Sequence, residues 1–363
     1  MKILVVVPNL QAGGAETFIV NLSNTLAQDK DVEVTILTLY PPEKSEFLRK
    51  KISNKVNVIN LKMHWGVDLE LPFEIMRLIK RGKYDIAHFH VQAIIYCFLS
   101  CLFVRRTRYF ATIHNDAFKE AEGVHRLIRK ILFKAGLCQV ITISEDSDKS
   151  FKKLYCTGAS MINNGVVRSP KNINESILNQ FNLDGKDLLF VNVASFVPKK
   201  NQLSIARAAN KLINEGNNIK VLFLGKIWDE NYYKEVLKET SNIVFVVGEV
   251  SNPIDYMSLA YFFILPSVYE GMPISLLEAM SVDCIPNVTP VGGCRNVIQD
   301  GVNGLICPTP DVDDVYVTMK RAILMGEKNK SRIKAQIKKD FENYTIDKCA
   351  DLHIKLFEKA LDE

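Results

Sequence analysis

The sequence lacks an apolar stretch long enough to cross a bilayer. Its most apolar run, IIYCFLSCLFV at 94–104, falls well short of the ~20 residues that a membrane-spanning helix needs, and it ends in Arg105 and Arg106. The opening MKILVVVPNLQAGG reaches Pro8 too soon for a signal sequence and has no small-residue cleavage site. We therefore expect a buried helix at 94–104 and a buried first strand.

The sequence also lacks paired cysteines. Its eight cysteines are scattered without a Cys-x-x-Cys pair, and several lie in apolar runs. This spacing argues against a zinc site and against a disulfide framework. His88 and His90 alternate along a predicted strand, but no set of Asp, Glu or His at ligand spacing accompanies them. We expect buried free thiols, no metal and a reducing, cytoplasmic location.

Short apolar runs alternate with longer amphipathic stretches, which predicts parallel sheets with helices on both faces. A chain of 363 residues exceeds one comfortable core. The alternation pauses in the Asn-rich segment 163–187 and then restarts. The predicted fold class is therefore α/β, with two doubly wound Rossmann-like domains at 1–170 and 171–345 and a terminal helix at 346–363 that packs back on the first. Ligands of such sheets bind beyond the carboxyl ends of the strands, which predicts a cleft between tandem domains.

Positive charge is concentrated in the first half. Residues 1–170 contain 24 Lys and Arg against 16 Asp and Glu, whereas the remainder has 22 against 25. Part of the excess lies in FKEAEGVHRLIRKILFKAG, where basic and apolar side chains share helical spacing. Two readings stay open: a solvated helix face, or a surface for an anionic membrane or an acidic acceptor. The basic residues concerned are Arg126, Arg129, Lys130 and Lys134.

Two candidate binding elements follow strands of the first domain. PNLQAGGAE opens the first helix with Gly13 and Gly14, which let backbone amides approach an anionic ligand. A tight turn without a ligand would look alike. His114 comes directly after the strand in FATIHND, at the edge where ligands bind, although a lone histidine is often structural.

The stretch SVYEGMPISLLEAMS is the main candidate in the second domain. Glu270 and Gly271 follow the buried strand YFFILPS, and Pro273 suits the first position of the next helix. Amides near Met272 and Ile274 would then form an anion site. Glu278 lies on the second turn of that helix. Carboxylates would repel a phosphate, so Glu270 and Glu278 are better suited to bind hydroxyl groups at the two ends of one ligand.

VASFVPKKNQ places Lys199 and Lys200 after the first strand of the second domain. A lysine there can neutralise a phosphate, and a solvated turn is the alternative. A second loop, TPVGGCRNVI, brings Gly292 and Gly293 to the same edge.

These pieces together resemble the family 4 glycosyltransferases, which are retaining enzymes of the GT-B architecture. The matching stretches are NLQAGGAE, TIHN, MINNGVV, VASFVPKKNQ, SVYEGMPISLLEAMS and VGGCRNVIQDGVNGLI. They follow the family's order over nearly the whole chain. The type best matched acts in assembly of bacterial surface polysaccharide or lipopolysaccharide, moving a hexosyl or N-acetylhexosaminyl group.

The resemblance implies that the first domain binds a saccharide acceptor and the second a nucleotide-sugar donor, with no metal and no nucleic acid. The basic first half with its apolar and basic helix suits an acceptor that is lipid-linked at the inner face of a membrane. It assigns the donor sugar hydroxyls to Glu270 and the nucleotide ribose to Glu278. It places the backbone of Gly271, Met272, Pro273 and Ile274 near the sugar and phosphates. Further roles implied are Gly13 and Gly14 near the diphosphate, His114 beside the transferred sugar, and Lys200 against the leaving diphosphate.

The sequence departs from the family pattern in three places. Ser195 stands where the family usually has Arg, which removes one positive charge unless Lys199 or another residue compensates. Gly225 is followed by Lys226 and Ile227 where Gly-x-Gly is common, and Asn296 stands where Glu is common. Alternatives are a nucleotide-sugar-binding protein without transfer and a nucleotide-sugar epimerase. A dinucleotide oxidoreductase fits least, because the first turn lacks Gly-x-Gly-x-x-Gly.

Overall fold

The computed structural model describes residues 1–41, 46–63, 68–171, 174–181, 188–241 and 243–363. They form two compact units, the first being Met1–Gly165 with Ile346–Glu363 and the second Val166–Thr345. The first unit thus ends at Gly165 rather than at 170, and the terminal segment belongs to it. Part of the predicted linker, 172–173 and 182–187, lies outside the described residues.

The first unit contains a sheet of parallel strands. The strands are β1 (Lys2–Val7), β2 (Glu33–Thr38), β3 (Asn57–Asn60), β4 (Ile86–His90), β5 (Arg108–Ile113), β6 (Gln139–Thr142) and β7 (Ser160–Met161). Their order is β3-β2-β1-β4-β5-β6-β7, and every described pairing is parallel. The helices are α1 (Gly14–Leu26), α2 (Glu46–Arg49), α3 (Leu71–Gly82), α4 (Phe98–Phe103), α5 (Ala117–Glu120), α6 (Gly123–Lys134), α7 (Glu145–Tyr155) and α16 (Ile346–Asp362).

The second unit repeats this plan. Its strands are β8 (Leu188–Val193), β9 (Ile219–Leu224), β10 (Val244–Gly248), β11 (Phe262–Leu265), β12 (Ile285–Val288) and β13 (Leu305–Ile306), in the order β10-β9-β8-β11-β12-β13. All described pairs are parallel. The helices are α8 (Glu175–Gln180), α9 (Gln202–Asn214), α10 (Glu230–Lys238), α11 (Pro253–Leu259), α12 (Ile274–Ser281), α13 (Cys294–Val297), α14 (Val312–Ile323) and α15 (Glu327–Phe341).

The central strands are buried on both faces because helices cover both sides of each sheet. In β1 every side chain from Ile3 to Val7 is buried, as expected for a parallel strand that reads as a continuous apolar run. The predicted α/β fold class with two doubly wound units is confirmed. Strand order reverses between β1 and β4 in the first sheet and between β8 and β11 in the second, and such switch points are where α/β sheets bind ligands.

Two local expectations need correction. The predicted helix at 94–104 is a 3₁₀ turn, Ala93–Cys97, followed by α4, and Phe103 at the end of α4 is 71% exposed. Cys156 is exposed, whereas the other seven cysteines are buried as predicted. Among the described residues, no helix combines the length and apolar character required to span a membrane.

Candidate active site

The first turn of α1 places the Glu16 carboxylate over Gly13 in the loop after β1. Gly13 precedes α1 in extended conformation, and Gly14 is the first residue of that helix. A Cβ on residue 13 would lie 2.1 Å from Glu16 Oε2, so the Glu16 side chain folds over the position where glycine was expected to admit a ligand. Burial raises the pKa of Glu16. Glu16 is part of the quoted motif, but its contact with the loop was not anticipated.

His114 lies directly after β5, where the strand-end prediction put it. Its Nε2 is 3.0 Å from Nδ1 of His90, and its ring meets Phe18 edge-on at 6.2 Å between centroids. Burial lowers the pKa of His114 to about 4, and the nearby Arg129 guanidinium acts in the same direction. The imidazole is therefore neutral at physiological pH.

The main chain at His114 is fixed by a buried ion pair. Glu120 Oε1 accepts hydrogen bonds from the backbone N–H of His114 and Asn115, at 2.5 and 2.9 Å. Arg129 pairs with Glu120 at 3.0 Å and also donates to the Val91 carbonyl at 2.8 Å. Burial raises the pKa of Glu120, and Arg129 opposes that effect. Arg129 is only 2% exposed. For this residue the solvated-face reading of α6 is wrong, because its side chain enters the core.

In the second unit, Lys200 and Glu270 form a close pair. Lys200 belongs to the 3₁₀ turn Pro198–Lys200 after β8, and Glu270 follows β11. The Lys200 Nζ lies 2.6 and 2.8 Å from the two carboxylate oxygens of Glu270. Ser267 Oγ donates to Oε1 of the same carboxylate at 2.6 Å. The side chains are 18% and 8% exposed, so the pair is largely shielded from solvent.

The loop after β8 is tied to the segment after β11. The backbone N–H of Val268 donates to the Lys199 carbonyl at 2.8 Å, and the Lys199 ammonium lies 5.0 Å from the centre of the Tyr269 ring. Ser195 is half-buried at the start of this loop, and its carbonyl accepts from Gln202 at 3.1 Å. Ser195 therefore lies in the same loop as Lys200 but adds no positive charge to it.

The turn Gly271–Pro273 leads into α12 one residue later than expected. Pro273 is the N-cap, in extended conformation, and Ile274 is the first helical residue. The side chains of Met272, Pro273 and Ile274 are buried, so these residues can contact a ligand only through backbone groups. Glu278 is half-buried on the second turn of α12.

Gly292 and Gly293 support this turn. A Cβ at Gly292, which has φ +51°, would lie 2.0 Å from the Glu270 carbonyl oxygen. The Gly293 N–H donates to the Gly271 carbonyl at 2.5 Å. Because these two residues approach neighbouring backbone atoms so closely, packing alone requires glycine at both positions, and no ligand is needed to explain them. Gly225 has a similar role, because a Cβ there would lie 2.0 Å from the Ala194 carbonyl oxygen.

Ile227 stands at the second Gly of the common Gly-x-Gly, after Lys226 at its variable position, and both residues are half-buried. The Lys226 ammonium lies 4.4 Å from the centre of the Trp228 ring, and that indole is 58% exposed. Asn296 is exposed on α13. Within the described ranges, no group of three or more His, Cys, Asp or Glu is disposed to hold a metal ion.

Sequence reasoning missed two polar residues of these networks, Ser267 and Glu120, and it considered Arg129 only as part of a basic helix. Ser267 lies three residues before Glu270, within the same stretch. Arg129 lies three and four residues before Leu132 and Phe133, so it shares their buried helix face. That spacing was a readable signal that Arg129 points inward.

Two family models together match most of the chain. The model for glycosyltransferase family 4 matches residues 12–169, and the model for glycosyl transferases group 1 matches residues 173–339. The two matches fall largely within the first and the second unit, respectively.

Individual relatives agree with these matches. The chain is 24% identical over 302 residues to the capsular polysaccharide biosynthesis glycosyltransferase CapH of Staphylococcus aureus, covering 78% of this chain and 80% of that one. It is 25% identical over 315 residues to the Escherichia coli UDP-Gal:alpha-D-GlcNAc-diphosphoundecaprenol alpha-1,3-galactosyltransferase, covering 80% of each.

Among solved structures, Anabaena Alr3699/HepE in complex with UDP and glucose matches with a TM-score of 0.84 at 14% identity, covering 99% of this chain and 100% of that one. This likeness establishes the fold, which is GT-B. With the family models matching both units, the chain belongs to the family 4 glycosyltransferases.

Proposed function

We propose that this glycosyltransferase moves a hexosyl or N-acetylhexosaminyl group, with retention of configuration, from a nucleoside diphosphate sugar to a hydroxyl group of a lipid-linked saccharide. It would act on the cytoplasmic side of a membrane during assembly of surface polysaccharide. The Staphylococcus and Escherichia relatives are named for capsule synthesis and for a diphosphoundecaprenol acceptor. Their names support the acceptor class, and the UDP in the Anabaena complex makes uridine donors the first to test.

The observation that carries the proposal is the cluster of Lys200, Glu270 and Ser267 at the switch point of the second sheet. A lysine within 2.6 Å of a carboxylate, both largely buried, places a positive charge beside a hydroxyl-binding group. Glu270 would hold hydroxyl groups of the donor sugar, and Lys200 would contact its diphosphate. Glu278 would bind the ribose.

In the proposed reaction, the bond between the anomeric carbon and the diphosphate oxygen breaks as the acceptor oxygen attacks from the same face. The proton of the acceptor hydroxyl passes to the leaving phosphate. Negative charge grows on the diphosphate, so Lys200 and the amides at the start of α12 stabilise the transition state more than the ground state. We propose that these groups take the place of a metal cofactor. His114, neutral and at the end of β5, would donate a hydrogen bond to the transferred sugar.

The decisive test pairs binding with turnover. Purified protein is screened by thermal shift against UDP- and GDP-sugars, and the donor that shifts it is assayed for hydrolysis and for transfer to a short-chain lipid-diphosphate saccharide. We expect Glu270→Gln to abolish both reactions. Glu215→Gln is the control, because Glu215 pairs with Lys320 on the exposed surface of the same unit.

The alternatives give different results. A donor-induced shift with no turnover would identify a non-catalytic nucleotide-sugar-binding protein. Conversion of the donor to its epimer without any acceptor would identify an epimerase. Inversion at the anomeric carbon of the product would contradict the retaining mechanism.

We also propose that α6 contacts an anionic membrane. Val124, Leu127 and Ile131 follow one another at helical spacing and are 55 to 68% exposed. Lys130 and Lys134 are exposed on the same helix. Apolar side chains flanked by lysines fit a bilayer that contains anionic lipids, where a lipid-linked acceptor would reside.

Vesicle flotation tests this contact. With vesicles that contain phosphatidylglycerol, we expect the wild type to float and Leu127→Asp to remain in solution, while vesicles of phosphatidylcholine alone bind neither. Val317→Asp is the matched control, because Val317 on α14 is similarly exposed (51%) in the second unit. Equal binding by the two variants would contradict the assignment to α6.

A further inference from the structure

His114 is in contact with a second histidine that the reaction itself does not use. His90, the last residue of β4, is completely buried, and its Nδ1 lies 3.0 Å from Nε2 of His114. The other nitrogen of His90, Nε2, is enclosed and has no hydrogen-bond partner among the described residues. One proton therefore lies between Nδ1 of His90 and Nε2 of His114, and the nitrogen that carries it determines the tautomer of both rings.

The unpartnered nitrogen decides between the two arrangements. If His114 were the donor, a neutral His90 would carry its own proton on Nε2, leaving a buried N–H without an acceptor. If His90 donates through Nδ1, its Nε2 carries no proton, and only a lone pair is left without a partner. Orphaned buried N–H groups are the rarer and costlier case. Nδ1–H of His90 therefore donates to Nε2 of His114, and His114 carries its proton on Nδ1.

This arrangement requires both imidazole rings to be neutral. Burial lowers the pKa of His90 well below its ordinary value, and the neighbouring His88, His114 and His353 act in the same direction. No carboxylate contacts the His90 ring in the described part of the chain. Glu120, the acidic group next to His114, accepts from the main chain rather than from the imidazole.

The main chain that carries the two histidines is held as well. Arg129 connects the ends of β4 and β5, because it donates to the Val91 carbonyl and pairs with the Glu120 carboxylate that binds the His114 amide. Val91 adopts φ +57°, a left-handed conformation that is an outlier for a β-branched residue. Such strain persists only where surrounding contacts impose it, and it is common at functional sites.

We propose that His90 is a positioning residue that fixes His114 as the Nδ1–H tautomer, so that His114 serves as a hydrogen-bond donor through Nδ1. The Glu120–Arg129 pair fixes the main chain on which both rings depend. The inference rests on the proposed function only for the identity of the group that receives this hydrogen bond, a hydroxyl oxygen of the transferred sugar or acceptor. The tautomer itself is a property of the protein without substrate.

Nitrogen NMR of the imidazole rings tests the tautomer directly. With ¹⁵N-labelled histidine, and the His114 signals identified by their loss in His114→Gln, we expect Nδ1 to show the shift of a protonated nitrogen and Nε2 that of an unprotonated one. In His90→Leu, which has a similar volume and no donor, we expect the His114 signals to change toward a mixture of tautomers. The reverse assignment in the wild type, with the proton on Nε2, would overturn the proposal.

Kinetics with a matched control separates positioning from simple packing. His88 lies two residues before His90 on the same strand, is equally buried and packs against the His90 ring at 4.0 Å between centroids, but its hydrogen bond is to Thr112, at 2.7 Å, rather than to His114. We expect His90→Leu to lower kcat by about tenfold, the typical effect of one lost hydrogen bond. His90→Asn, whose amide nitrogen occupies nearly the place of Nδ1, should recover most of the rate. His88→Gln should retain wild-type kcat.

Equal losses in the His88 and His90 variants would overturn the positioning role, because they would indicate packing alone. If His90→Leu does not fold by circular dichroism, the comparison of His90→Asn with His88→Gln and the wild-type NMR assignment still decide the proposal. If no donor or acceptor supports turnover, the proposed function fails, while the nitrogen shifts still report on the tautomer.

Discussion

At the scale of the residue, the buried pair of Lys200 and Glu270 leads to a prediction about the free energy of unfolding. Removing one member leaves an uncompensated charge, which costs on the order of 3 kcal/mol in such settings. We expect Lys200→Met and Glu270→Gln each to lower the free energy of unfolding by about that amount, and the double variant to lose much less. Urea denaturation measures the three values. Additive losses would show that the two charges do not interact in solution.

The same variants are informative for catalysis. In the proposed reaction Lys200 contacts the leaving diphosphate, so its removal would take a positive charge from a shielded site, and we expect kcat to fall about 10² to 10³-fold. Lys211→Ala, which removes a lysine from an exposed pair with Asp313, is the control. The double variant should be stable but inactive. Retained transfer in Lys200→Met would contradict the role of this lysine.

Sequence could identify Lys200 and Glu270 as candidates because each follows a buried apolar run that ends at the carboxyl edge of a sheet. It could not show that they contact each other, because they are 70 residues apart in the chain and the contact depends on the pairing of β8 with β11. His90 was weighed only as a metal ligand. Its contact with His114 likewise depends on the register of β4 against β5.

At the scale of the element, β4 and its neighbours make the first unit sensitive to acid. The pKa values of His114 and His353 are lowered to about 4, mainly by burial, and those of His88 and His90 are well below their ordinary value. In the unfolded chain each would titrate near 6.5. The unfolded state therefore binds more protons below that pH, and stability is lost as the pH falls from about 6.5 toward 4.

Hydrogen exchange at pH 7.5 and pH 5, corrected for the intrinsic pH dependence, measures this loss. At pH 5 we expect His114 and His353 to cost about 2 kcal/mol each, which increases exchange in β4 and β5. The second unit is an internal control, because residues 166–345 contain no histidine. His353→Leu should reduce the pH sensitivity. Equal responses in the two units would contradict the prediction.

Elements differ in how readily they could be predicted. Strands such as β1 and β11 are continuous apolar runs, and their positions follow from the sequence. β3 reads NVIN, lies at the sheet edge and is only partly buried, so it has no comparable pattern. β7 has two residues and exists only through its pairing with β6. The exposed Phe103 of α4 shows that an apolar run alone does not establish burial.

At the scale of the whole molecule, α16 contributes to the core of a unit that begins 345 residues earlier. Phe357 is fully buried, with its ring centre 4.8 Å from that of Phe110 in β5 and 5.7 Å from that of His88 in β4. We expect Phe357→Ala to cost about 3 to 5 kcal/mol and to increase hydrogen exchange in the first unit. Phe190→Ala, in β8, is the matched control and should affect the second unit instead. Faster exchange in the second unit of Phe357→Ala would contradict the assignment.

This arrangement affects the order in which the protein acquires its structure during synthesis. The ribosome completes residues 166–345, a continuous unit, before it adds the helix that closes the first one. At ~5 to 20 residues per second, the synthesis of these residues, about 180 in number, takes roughly 10 to 40 s. The last strand of the first sheet is therefore made that long before α16. During that interval the face of β4 and β5 that Phe357 covers has no permanent partner. The unit that is begun first is therefore the one that finishes last, and nascent chains of intermediate length are where we expect a chaperone to be needed.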